Sequence, residues 1–157
     1  MPCALLIVLC TVPFVLQGLL MVVDEFIYHR GRGLSRWEVI GHPLDTITVA
    51  VALGFLVVAP RTLPSLLAFT GLAAFSCLFV TKDEFVHQEC CPPGEHWLHA
   101  VLFILHPVVF FAAGFLWWSG EPLFPLRLQT GLVALFGIYQ LLYWRNRAQK
   151  PARQPGQ

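Results

Sequence analysis

Charge is what this sequence has least of. Only 12% of its 157 residues are Asp, Glu, Lys or Arg, about half the ~25% usual in soluble domains. Set beside 57% hydrophobic residues and a mean hydropathy of +0.68, that shortage excludes a disordered chain, a nucleic-acid-binding module and an ordinary cytosolic enzyme. The net charge is only +1, so bulk electrostatics names no polyanionic partner. The start of the chain lacks the basic region of a signal peptide, and the apolar run Ala4 to Val23 is too long for one. A disulfide framework is missing as well. Cys3, Cys10 and Cys77 lie in apolar runs where a thiol acts as a small hydrophobe, and the adjacent Cys90 and Cys91 are poor partners for each other.

What is present is a series of long hydrophobic runs. They predict an all-α integral membrane protein, a single-domain transmembrane bundle of five helices. The spans fall at about 4–29, 37–59, 65–88, 95–118 and 127–145, with a basic, flexible tail over 146–157. A span takes ~20 residues, and Thr46 to Ala59 alone is too short. The second helix must therefore begin near Trp37 and carry Glu38, His42 and Asp45 with it. The connections are short, which makes sequential helices antiparallel neighbours. Eight of the ten Lys and Arg residues then fall on one side, with only Arg61 and Arg127 on the other. This bias places the C-terminus in the cytoplasm and the N-terminus outside, in a bacterial inner (plasma) membrane. Trp37, Trp97, Trp117, Trp118 and Trp144 stand near span ends, where amphipathic rings settle.

The polar residues repeat. Asp24-Glu25-Phe26-Ile27-Tyr28-His29 returns as Asp83-Glu84-Phe85-Val86-His87, each closing an apolar span. Glu38-x-x-x-His42 returns as Glu95-x-x-x-His99, each opening the next. Helices one and two thus form a hairpin that helices three and four repeat in parallel orientation, an arrangement that commonly puts a binding site near the repeat interface. The match is imperfect: the second copy shortens the first pair to Glu84-x-x-His87, and His-Pro at His42-Pro43 and His106-Pro107 suggests a competing register. All six histidines and eight of the nine carboxylates lie in these two segments, leaving only Glu121 elsewhere.

Residues three or four apart share a helix face, so each of four helix ends can aim a carboxylate and an imidazole at one point. The expected metal ligands are Glu25, His29, Glu38, His42, Glu84, His87, Glu95 and His99. Asp45, His106, Asp24, Asp83 and His96 are expected as outer-shell groups or additional ligands. This set resembles the ligand logic of di-iron bundles, where Glu-x-x-His pairs and further glutamates project inward. It departs from that logic in using i,i+4 pairs and in offering a histidine from all four helices. It also lacks the clustered double-histidine boxes of membrane desaturases and hydroxylases.

Plainer roles compete residue by residue. Ser35-x-x-Glu38 is a capping-box pattern, and Glu95 follows Pro92-Pro93-Gly94 as a first-turn carboxylate does. Depth favours function for His42, Asp45, His99 and His106, because ionisable groups inside a bilayer cost several kcal/mol unless paired (roughly 3 on insertion scales).

The expected cofactor is two divalent metal ions, iron first, with zinc or manganese also suited to these donors. Such a centre at the cytoplasmic membrane edge points to an oxygen-dependent oxidoreductase of hydroxylase, desaturase or oxidase type. The partners would be the lipid bilayer, a lipid-like substrate and an electron donor. The competing expectations are a metal-ion or proton relay protein and a haem-binding electron-transfer bundle.

Overall fold

The computed structural model describes residues 3–85 and 91–148. Among the described residues the chain is all-helical. Helix α1 (Cys3–Val23) accommodates Pro13 and runs on through a wider π-helical turn, Asp24–His29, into a last short turn at Arg30–Arg32. Helix α2 (Arg36–Val58) starts on the capping box the sequence announces: Ser35 Oγ accepts the Glu38 N–H, and the Glu38 carboxylate accepts the Ser35 N–H at 2.8 Å. Helix α3 (Leu63–Phe79) is capped by Thr62, with Pro64 in its first turn, and tightens into a 3₁₀ turn at Val80–Asp83. Helix α4 (Pro93–Trp118) opens on a proline and carries Pro107 inside. Helix α5 is Phe124–Ala148. The turn after Arg32 uses Gly33 at φ 80° and the turn after Ser119 uses Gly120 at φ 84°, both in the left-handed region that favours glycine.

Four of these helices, within Ala4–His29, Arg36–Val58, Leu63–Asp83 and Pro93–Trp118, are long and apolar enough to cross a membrane. The fifth is long enough at 25 residues, but Gln129, Gln140, Tyr139 and Tyr143 lower its hydropathy. Its polar side is not wasted: Gln140 is buried and accepts a hydrogen bond from Thr46 Oγ1 at 2.7 Å. The tail expected over 146–157 is helical as far as Ala148, and 149–157 lie outside the described residues.

Helix α2 packs between α5 and α3, while α1 packs on α4, which also meets α3. The tightest core holds Leu53, Leu56, Leu116, Trp117 and Leu126, all fully buried. Large apolar side chains also cover the outside, including Val58 at 81%, Leu78 at 73% and Ile104 at 72% exposed. In water such a surface would aggregate; against acyl chains it is the expected one. Two of the five tryptophans depart from the interfacial expectation, since Trp117 and Trp144 are buried.

At Gly114 of α4 an added Cβ would lie 2.9 Å from the Phe69 ring, so the glycine lets α3 approach. Gly114→Ala is expected to cost about 1–3 kcal/mol by overpacking, read as a lower unfolding midpoint in detergent. Gly71→Ala, where nothing lies within 4 Å, should leave the midpoint unchanged or raise it. Equal effects at the two positions would contradict this packing.

Candidate metal centre

The π-helical turn builds the site. In an i→i+5 turn, residues five apart become neighbours, so Asp24 as well as Glu25 comes round to His29. Spacing alone pairs His29 with Glu25; the wider winding adds Asp24. From the start of α4, Glu95 and His99 arrive one turn apart. The result is a cluster of Asp24, His29, Glu95 and His99, all buried, whose ligand atoms lie within 4.8 Å of one another. Asp24 Oδ1 is 3.0 Å from His99 Nε2, Asp24 Oδ2 is 3.3 Å from His29 Nε2, and Glu95 Oε1 is 3.6 Å from that same nitrogen. Metal–ligand bonds of about 2.0–2.2 Å put neighbouring donors of a tetrahedral site about 3.4 Å apart. The spacing is compatible with donors around an ion, and the shortest of the three contacts, His99 to Asp24, is also a hydrogen bond.

His29 is the telling residue. It is 2% exposed, and neither ring nitrogen has a hydrogen bond. Its Nδ1 faces Glu25 Oε2 at 3.5 Å. The other oxygen of Glu25 is held by α5: Oε1 accepts from Trp144 Nε1 at 2.8 Å and from the Tyr139 hydroxyl at 3.1 Å. Glu25 thus stands behind His29, where it can orient the ring and leave Nε2 for an ion. Among the described residues Asp24 has no lysine or arginine partner.

A second cluster adjoins the first. His42, Asp45 and Asp83 also bring ligand atoms within 4.8 Å of one another, with His42 Nδ1 3.7 Å from Asp83 Oδ2 and 4.0 Å from Asp45 Oδ2. The rings of His29 and His42 stack at 4.6 Å, joining the two clusters. Here a cation is already in place. Lys82 Nζ donates to Asp45 Oδ1 at 2.7 Å, to Asp45 Oδ2 at 2.9 Å and to Asp83 Oδ2 at 3.0 Å.

The other expected ligands fall outside these clusters. Glu38 is fully buried and serves the capping box. Glu84 and His96 are half-buried, and His87 lies outside the described residues. His106 sits deeper in the bundle, its Nε2 3.1 Å from Ser76 Oγ and its Nδ1 3.2 Å from Gln17 Nε2. Ser76 in turn is 2.7 Å from Thr48 Oγ1. Lys82, Tyr139, Trp144 and Gln17 carry no spacing signal in the sequence. Only the unusual polarity of α5 for a span hints at its part.

Between the clusters and His106 lies a mostly apolar cavity of about 520 Å³. Asp24, His42, Asp45, Asp83 and His99 form its polar end, His106 and Gln17 a polar wall, and Phe14, Val49, Leu102 and Phe136 its apolar lining. Val15 and Leu19 of α1 and Leu132 of α5 also line it while being 61%, 60% and 53% exposed. The exposed lining residues on α1 and α5 show that the cavity is not closed off from the outside of the bundle on that side.

Compared with protein-family models, curated proteins and solved structures, the chain finds no match in any of the three.

Trp144→Phe keeps an aromatic ring but removes a hydrogen bond to a carboxylate, a bond of a kind worth about 1.5–3 kcal/mol. It also leaves a void where the larger indole was buried, which adds to the loss. Unfolding in detergent should show a loss of at least that size. Tyr143→Phe, which removes only the exposed acceptor of Arg147, should stay within about 0.5 kcal/mol of wild type. Indistinguishable variants would mean that α5 does not anchor the site.

Proposed function

We propose that this chain is an integral-membrane metalloprotein that seats a divalent transition metal at Asp24, His29, Glu95 and His99 and oxidises a lipid-like substrate held in the adjoining cavity. The buried His29 ring, ringed by carboxylate oxygens at 3.3–3.6 Å without one hydrogen bond, carries the reading. A buried polar group is rarely left unsatisfied, and a metal ion would satisfy it and offset the buried acidic charge together. Two imidazoles with carboxylates suit non-haem iron first, then zinc or manganese.

Oxidation is the chemistry that fits an apolar cavity ending on such donors. In hydroxylation, one atom of dioxygen enters a C–H bond and the other leaves as water, with two electrons and two protons from an external donor. In desaturation two hydrogens leave the substrate and, with two electrons and two protons from the same kind of external donor, both oxygen atoms leave as water. The exposed lining residues Val15, Leu19 and Leu132 support a route for a hydrocarbon chain from the bilayer. The expected second ion would need the His42 cluster as its seat, where Lys82 already stands, so the reading takes one ion. A relay across the membrane has less support, because fully buried Leu53, Leu56, Leu116 and Trp117 close the apolar core beyond the cavity. Haem has less still: both ring nitrogens of His106 are engaged with Ser76 and Gln17.

The excess of Lys and Arg supports a site at the cytoplasmic edge of a bacterial plasma membrane with the N-terminus outside, α5 being taken as a fifth span. The two hairpins are read as a duplicated unit, which crossed pairing supports. Asp24 of the first copy meets His99 of the second at 3.0 Å, and Asp83 of the second approaches His42 of the first at 3.7 Å.

Metal analysis of protein purified from membranes tests the proposal. Wild type should carry about one ion per chain, and Asp24→Ala, His29→Ala and His99→Ala should each weaken binding about 10-fold or more. Glu84→Ala and His96→Ala should bind as wild type. A metal-free wild type that still consumes oxygen and modifies lipid at full rate would overturn the reading.

A further inference from the structure

We infer that the Lys82 ammonium is a built-in cation occupying the position of a second metal ion, so that the chain has a latent metal site at His42, Asp45 and Asp83. The inference rests on the proposed function only for what the first ion does; the second cluster is argued on its own geometry.

One imidazole and two carboxylates there present ligand atoms within 4.8 Å of one another, a donor set suited to a divalent cation. The ammonium bridges both carboxylates at 2.7–3.0 Å, as an ion between them would. Asp83 is 3% exposed, yet its Oδ1 has no hydrogen bond, so lysine leaves part of the donor set unused. Gly41 makes the room: a Cβ there would lie 3.0 Å from Asp83 Oδ1 and 3.5 Å from Lys82 Nζ.

The two copies of the motif explain the asymmetry. Lys82 immediately precedes Asp83, and the residue in the same place before Asp24 is Val23. Where the first copy has valine, no ammonium reaches the carboxylates, and a second imidazole, His29, joins them. Where the second copy has lysine, the positive charge is supplied by the chain. With the His29 and His42 rings stacked at 4.6 Å, two divalent ions would sit close together. A single tethered charge in one seat lowers that repulsion.

Manganese titration of purified protein, followed by equilibrium dialysis and electron paramagnetic resonance, decides the matter. Lys82→Val, which copies the residue of the first half, should bind about one equivalent more than wild type, with spin coupling between the ions. Adding Asp45→Asn to Lys82→Val should abolish the gain while balancing the charge removed. A wild type that takes up two equivalents, or a Lys82→Val protein that gains none, overturns the inference. If wild type binds none and Lys82→Val binds one, the four-ligand metal centre falls and the latent site stands. Should Lys82→Val fail to fold, Lys82→Gln is read in the same way, and the wild-type count overturns the inference without any variant.

Discussion

Acidic side chains gathered inside an apolar helical bundle need positive charge or strong donors, and the arrangement of this protein follows from that need. Desolvating a carboxylate costs several kcal/mol even after the surroundings relax (about 3 or more), so each buried acid must meet a cation or strong donors. Glu38 uses backbone N–H at a helix start. Glu25 uses an indole and a phenol from the last helix. Asp45 and Asp83 use Lys82. Asp24 and Glu95 lie with His29 and His99 in a buried cluster that could hold a metal ion.

The same need links the site to the fold. The π-helical turn at Asp24–His29 turns one carboxylate inward and leaves the next to bind α5. The last helix therefore acts as a buttress. Its polar residues, costly in a lipid-facing span, become useful facing Thr46, Glu25 and Arg30. Helices α1 and α5 also contribute exposed residues to the lining of the cavity, Val15 and Leu19 from one and Leu132 from the other.

Much of the bundle is legible in the sequence because hydrophobic length is a local property. The runs ending at Asp24 and Asp83 and the cap at Ser35 are read directly. The gathering of His29, His42 and His99 follows from counting polar residues. What spacing could not supply was that Asp24 joins His29, Glu95 and His99 in one cluster while Glu25 also bonds α5, because an i,i+4 rule assumes α-helical winding and this turn is wider. Nor could it show Lys82 folding back on its own neighbour, which depends on the 3₁₀ turn at Val80–Asp83. Trp144 read as an interfacial ring because its N–H partner lies 119 positions away in the chain. Ion seats depend on such long-range meetings, so the sequence indicates ligand types better than their grouping.

X-ray absorption at the metal edge of the purified protein tests the central claim most directly. The account predicts a shell of nitrogen and oxygen donors at about 2.0–2.2 Å, with outer-shell scattering from two imidazole rings that falls to one in His99→Ala. A shell containing sulfur, or one whose imidazole signal is unchanged by that substitution, would contradict it.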